Sequence, residues 1–192
     1  MQTFSKVYDG YAQAKRVVHE LELAGIPSSD ISLVANNNVT EHYTDGDETS
    51  AAATGMGLGA ALGGGAGLLA GLGLLAIPGL GPVVAAGWLA STALGAVAGT
   101  ATGGILGALV GAGTPEQDAH VYSEAVRRGG TLVTVRTDQS PERVQHILDA
   151  HEPIDPIARR KQYEESGWTG FDPDAAPYKP DEAETERMRR RI

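Results

Sequence analysis

One long stretch without charge constrains the fold of this chain more than any other feature. No Asp, Glu, Lys or Arg occurs between Glu48 and Glu116. The residues in between are mostly Gly, Ala, Leu, Val and Ile, and Trp88 is the only aromatic among them. A stretch of this composition differs so much from the charged sequence on either side that we expect it to be an insertion into the rest of the chain.

Small residues recur at every fourth position within this stretch, in two ladders separated by a Pro-Gly turn at residues 77–82. Residues four apart lie above one another on a helix, so each ladder predicts a groove without side chains that another helix can approach closely. The predicted helix-packing residues are Gly55, Gly59, Gly63, Gly67, Gly71, Gly87, Ser91, Gly95, Gly99, Gly103, Gly107 and Gly111.

The free energy that glycine costs in a helix decides which environment this predicted hairpin needs. The first segment, Ala51–Ala76, contains nine glycines, which disfavour a helix in water by about 8 kcal/mol. A bilayer forces helix formation, and segments of about 26 to 30 residues are long enough to span it. Membrane insertion is therefore the favoured interpretation, with a hairpin buried in an oligomer or a disordered Gly/Ala linker as the alternatives.

The flanking regions have the composition of a globular protein. Residues 1–50 predict a strand, a helix capped by Asp9, a second strand and a polar linker, whereas residues 114–152 predict helix, strand and helix. Neither half has enough strands to form a stable sheet alone. Together they predict an α+β fold, a small ferredoxin-like sandwich split by the helical hairpin at residues 51–113. Residues 153–192 predict a polar, Pro-rich and flexible tail.

Charge and motifs exclude several classes of chemistry. The formal net charge of −9 argues against nucleic acid as a partner, and the absence of cysteine excludes disulfides and thiolate metal sites. No catalytic motif is found, so no catalytic, cofactor-binding or metal-binding residue is predicted. Glu116, His120 and Glu124 share one helix face, where a solvated face is favoured over a metal site. Arg127 and Arg128 are expected either to offset the helix dipole or to bind an anion.

Three segments carry a resemblance to a known family. They read AGIPSSDISLVA, AIPGLGPVVAAG and GTPEQDAHVYSEAVRRGGTLVTVRTD. With them, the region from Phe4 to His151 resembles the bacterial general stress protein family with the heat-induced 17M-like domain. The resemblance implies a stress-induced bacterial protein without established catalytic residues.

These observations predict a non-catalytic stress protein that associates with the inner membrane and self-associates through its glycine ladders. Because the N-terminus lacks the pattern of a secretory signal, both termini are expected in the cytoplasm. The alternative is a soluble cytoplasmic scaffold whose hairpins pack into a shared core. The expected partners are membrane lipid and further copies of the chain, with no nucleic acid, cofactor or small-molecule substrate. Trp168, Phe171 and Tyr178 are expected to dock on a partner, another subunit or their own domain.

Overall fold

The structure is a computed structural model that describes residues 1–36, 73–77, 80–89, 92, 104–175 and 178. Its strands are β1 (Gln2–Tyr8), β2 (Ile31–Asn36), β3 (Gly73–Ile77), β4 (Gly81–Ala86) and β5 (Thr131–Thr137). Its α-helices are α1 (Tyr11–Leu23), α2 (Gly104–Gly111), α3 (Glu116–Arg127), α4 (Pro141–Ala150) and α5 (Pro156–Glu165), and a 3-10 helix covers Ser28–Asp30.

The five strands form one sheet in the order β1-β5-β2-β4-β3, and every neighbouring pair is antiparallel. Strands β1 and β2 are parallel to each other because both pair with β5, which lies between them. Helix α1 connects them as the crossover of a split βαβ unit. The second half of the chain therefore supplies the strand that completes the sheet of the first half.

Helices cover both faces of the sheet. Along β5 the side chains alternate, so that Leu132 belongs to one apolar cluster and Val133 to the other. The cluster of Val133 contains the apolar residues of α1 and α4, and the cluster of Leu132 contains those of α2 and α3. Period-two alternation on a strand is what places successive side chains on opposite faces.

The strands predicted outside the charge-free stretch form in the structure. Strands were expected near the N-terminus, before the polar linker and over residues 131–136, and all three form. The apolar residues of α1 that share helical spacing, namely Ala14, Val17, Val18 and Leu21, are all buried. The α+β fold class is confirmed.

The charge-free stretch differs from its prediction at its centre. The structure places a β-hairpin, β3 and β4, where the end of the first helix, the turn and the start of the second helix were expected. The helix predicted for Ala51–Ala76 is therefore wrong over residues 73–76, and residues 51–72 lie outside the described residues. Strand β4 extends the sheet through β2, so its backbone groups gain partners without the helical cost of glycine. Among the helices that the structure describes, none combines the length and the apolar character needed to cross a bilayer.

The beginning of the predicted flexible tail is ordered instead. Residues 156–165 form α5, and Pro156 occupies its first turn. Oδ1 of Asp155 accepts hydrogen bonds from the backbone N–H groups of Ile157 and Ala158, at 2.8 and 3.3 Å. Asp9 does not cap α1, which begins after Gly10 without a side-chain cap. Its carboxylate instead lies 2.7 Å from Nη2 of Arg159, which ties α5 to the end of β1.

Candidate functional site

A buried carboxylate lies at the C-terminal end of α3. Glu124 is 1% exposed, and both of its carboxylate oxygens accept hydrogen bonds. Oε1 accepts from Nη2 of Arg127 at 2.7 Å and from Nε of Arg128 at 2.6 Å, and Oε2 accepts from Nε of Arg127 at 2.8 Å. The spacings of three and four residues bring these groups to one helix face. The hydrogen bond to Glu124 raises the pKa of Arg127 above its usual value.

Two tyrosines lie against the same arginines. The guanidinium carbon of Arg128 is 4.4 Å from the ring centroid of Tyr163 and 5.2 Å from that of Tyr178. The guanidinium carbon of Arg127 is 5.4 Å from the ring centroid of Tyr178. These are cation–π distances, which favour a guanidinium over an ammonium group at this position. We call Glu124, Arg127, Arg128, Tyr163 and Tyr178 the Glu124 cluster.

Asn36 connects the Glu124 cluster to the sheet. Its side-chain Nδ2 donates to the carbonyl oxygen of Arg127 at 3.1 Å and to that of Leu80 at 3.3 Å. Asn36 is the last residue of β2, and Leu80 directly precedes β4. One buried amide therefore joins both halves of the domain to the charge-free stretch.

The cluster holds elements together rather than presenting a reactive group. Each oxygen of Glu124 already accepts a hydrogen bond from a guanidinium, so this carboxylate is occupied as an ion-pair partner. The prediction of a solvated face is wrong for Glu124, although Glu116 is exposed as expected. Within the described residues, no group of three or more His, Cys, Asp or Glu side chains is placed to hold a metal ion.

The residues after α5 pack on α3. We call residues 166–175 the C-terminal strap. The backbone N–H of Phe171 donates to Nδ1 of His120 at 3.1 Å, and the Phe171 side chain is 5% exposed within the core on that face. The Trp168 ring contacts that of Tyr163 edge-to-face, with 5.6 Å between centroids. Trp168, Phe171 and Tyr178 thus contact their own domain, one of the three docking alternatives that were expected.

The glycine ladders fall mostly outside the described residues. That holds for Gly55, Gly59, Gly63, Gly67, Gly71, Ser91, Gly95, Gly99 and Gly103. Gly87 follows β4 and lies against the backbone of Ile31 and Ser32, so it packs on a strand rather than in a helix groove. Gly107 and Gly111 belong to α2, and no described residue beyond the helix itself lies within 4 Å of the position that a Cβ would take on Gly111.

One contact at the sheet was not anticipated from the sequence. The guanidinium carbon of Arg136 on β5 lies 4.7 Å from the ring centroid of Trp88, and its Nη2 lies 3.0 Å from Oδ1 of Asp30. The aromatic residue of the charge-free stretch is therefore attached to the α+β domain. The two residues are far apart in the sequence and neither belongs to a recognisable motif, so no local pattern indicated the pair.

Comparison with known proteins finds no family model, no curated protein and no solved structure that matches this chain. The resemblance to the general stress protein family therefore stays a prediction.

Proposed function

We propose that this chain is a non-catalytic bacterial stress protein that self-associates through its charge-free stretch. The observation that carries the proposal is the position of β3. In the sheet of the described residues, β3 is one of the two edge strands, with β1 at the other edge, and it pairs only with β4. Its sequence, GLLAI, contains no charged residue and no proline.

An apolar outer strand is a natural site for pairing. No other described strand pairs with its outward N–H and C=O groups, and proteins usually protect such an edge with charge, proline or a bulge. Residues 73–77 carry neither charge nor proline. A second copy of β3 is the partner that fits, because two identical strands can pair antiparallel about a twofold axis and satisfy each other's edge.

The described parts of the charge-free stretch are built into the α+β domain. Hairpin β3–β4 extends the sheet, and α2 buries Ile105, Leu106 and Leu109 in the core beside α3. Pairing of two β3 strands would thus join two sheets into one continuous sheet. We propose that the split βαβ unit of β1, α1, β2 and β5 is the ferredoxin-like part, and that residues 51–113 are inserted into it.

Association with membrane lipid is the second candidate function. The absence of charge from Glu48 to Glu116 favours it. In that case the inner membrane would hold residues of the charge-free stretch while both termini stay in the cytoplasm. If self-association without membrane lipid is the function, the protein would be a cytoplasmic scaffold.

Light scattering of the full chain after size-exclusion chromatography tests self-association. We expect a dimer or larger species without detergent, and a lower mass for Leu74→Lys and for Leu75→Lys, each of which adds a charge to the edge strand. Leu23→Lys is the matched control, because Leu23 is 73% exposed at the end of α1. A monomeric wild-type chain at all concentrations would refute the proposal. Flotation with anionic lipid vesicles tests the second candidate separately.

A further inference from the structure

We infer that His120 makes the C-terminal strap sensitive to pH, so that protonation of its imidazole detaches the strap from α3. The backbone N–H of Phe171 donates to Nδ1 of His120 at 3.1 Å. A ring nitrogen accepts a hydrogen bond only when it carries no proton, so the attached strap requires neutral His120 with its proton on Nε2. Protonation would turn this acceptor into a donor that faces another donor.

The contacts that hold α5 in place do not involve His120. Arg159 pairs with Asp9, Nη1 of Arg160 donates to Oε1 of Gln117 at 2.9 Å, and the backbone N–H of Trp168 donates to the carbonyl of Tyr163 at 3.1 Å. No histidine takes part in any of these three contacts. Helix α5 is therefore expected to stay in place while the residues around Phe171 are released.

The charged neighbours of His120 come from several elements. On α3, Glu116 and Glu124 lie one turn before and after it, and Glu124 is already paired with Arg127 and Arg128. On α5, Arg160 lies 3.6 Å from Asp118. In the strap, Oδ1 of Asp172 accepts from the N–H of Asp174. Helix α2, which also packs on α3, has no ionisable side chain.

Release of the strap would change what α3 presents to solvent. Phe171 is 5% exposed while attached and packs in the same core as Tyr122 and Ile154. Detachment would expose this ring together with the apolar surface that it covers. Histidine is the side chain type that ordinarily changes charge between pH 5 and 8, so a comparison of pH 7.5 with pH 5 tests the release of the strap.

Hydrogen exchange of the full chain, followed residue by residue by NMR and corrected for intrinsic rates, tests this inference. Between pH 7.5 and pH 5 we expect the protection of the Phe171 amide to fall roughly tenfold, while that of Val133 in β5 stays constant. His120→Gln keeps an acceptor that does not titrate, so its Phe171 protection should not change with pH. His146→Gln, at an exposed position on α4, should retain the wild-type fall.

Two results would overturn the inference. One is a wild-type Phe171 amide whose protection is the same at both pH values. The other is a His120→Gln variant that shows the wild-type fall, which would assign the pH dependence to another group. The imidazole nitrogen chemical shifts of wild-type His120 give an independent check, because they must show a proton on Nε2 and none on Nδ1 at the higher pH.

Discussion

Gly87 lies against the backbone of Ile31 so closely that no other residue fits. A Cβ at position 87 would be 2.2 Å from the carbonyl oxygen of Ile31 and 2.7 Å from Cα of Ser32. Gly87 also has a φ of +90°, in the left-handed region that favours glycine. This contact attaches the charge-free stretch to the first half of the domain at the place where the chain leaves β4.

Replacing Gly87 by alanine should therefore destabilise the fold strongly. Gly25 offers a matched control, since it has the same φ of +90° but no atom within 4 Å of the position that a Cβ would take. We expect Gly25→Ala to lower the free energy of unfolding by about 1 kcal/mol from backbone strain alone. Gly87→Ala should cost at least about 2 kcal/mol more, because backbone atoms of β2 must move. Urea denaturation measures the free energy of unfolding of both variants. Equal losses of stability in the two variants would show that the contact with Ile31 is unimportant.

Glu124→Gln tests the Glu124 cluster. The substitution leaves two arginines, with side chains 15% and 21% exposed, beside an amide that cannot balance their charge. We expect the free energy of unfolding to fall by about 2–3 kcal/mol, less than for a fully buried pair because the guanidiniums retain some water. Glu165→Gln, at an exposed position of α5, should change it by less than about 0.5 kcal/mol. Similar denaturation midpoints for both variants would contradict the structural role of Glu124.

Two buried tyrosines predict a loss of stability in alkali. Burial, with a smaller effect of nearby carboxylates, raises the pKa of Tyr122 to about 12 and raises that of Tyr8 as well. Below the ordinary value of 10.0 both states are protonated, so neither tyrosine changes the stability there. Above it the unfolded chain loses protons first, so the free energy of unfolding falls, by up to about 1.4 kcal/mol per pH unit for each tyrosine. Denaturation at increasing pH should show a shallower fall for Tyr122→Phe, and an unchanged slope would refute the assignment.

Local periodicity was enough to predict much of the α+β domain. Ala14, Val17, Val18 and Leu21 fall on one face of a helix by spacing alone, and residues 131–136 read as a strand by their content of β-branched residues. The β-hairpin could not be predicted in this way, because Gly, Ala and Leu fit either state. Its strands form because β2 offers a pairing edge, and that edge is far away in sequence.

Local sequence patterns were also insufficient to predict the candidate site. Spacing grouped Glu124 with Glu116 and His120, and Arg127 and Arg128 were assigned to the helix dipole or an anion, so their pairing with Glu124 was not predicted. Nothing local indicated that α5 and Tyr178 would cover these residues. The start of α5 was missed, because the polar and Pro-rich composition indicated a flexible tail although Asp155 followed by Pro156 is a helix-start signal. Burial of Glu124 depends on tertiary packing, which residue patterns within one helix do not encode.

Cysteine cross-linking of β3 tests self-association most directly, because the wild-type chain contains no cysteine. Single variants Leu74→Cys, Leu75→Cys and Ala76→Cys of the full chain would be oxidised and separated without reducing agent. Antiparallel pairing brings facing Cα atoms to about 4.5–5.5 Å, which is within disulfide range. We predict a covalent dimer for at least one of these positions, well above the yield for Leu23→Cys. If no position in β3 cross-links more than Leu23→Cys, copies of this chain do not pair through β3.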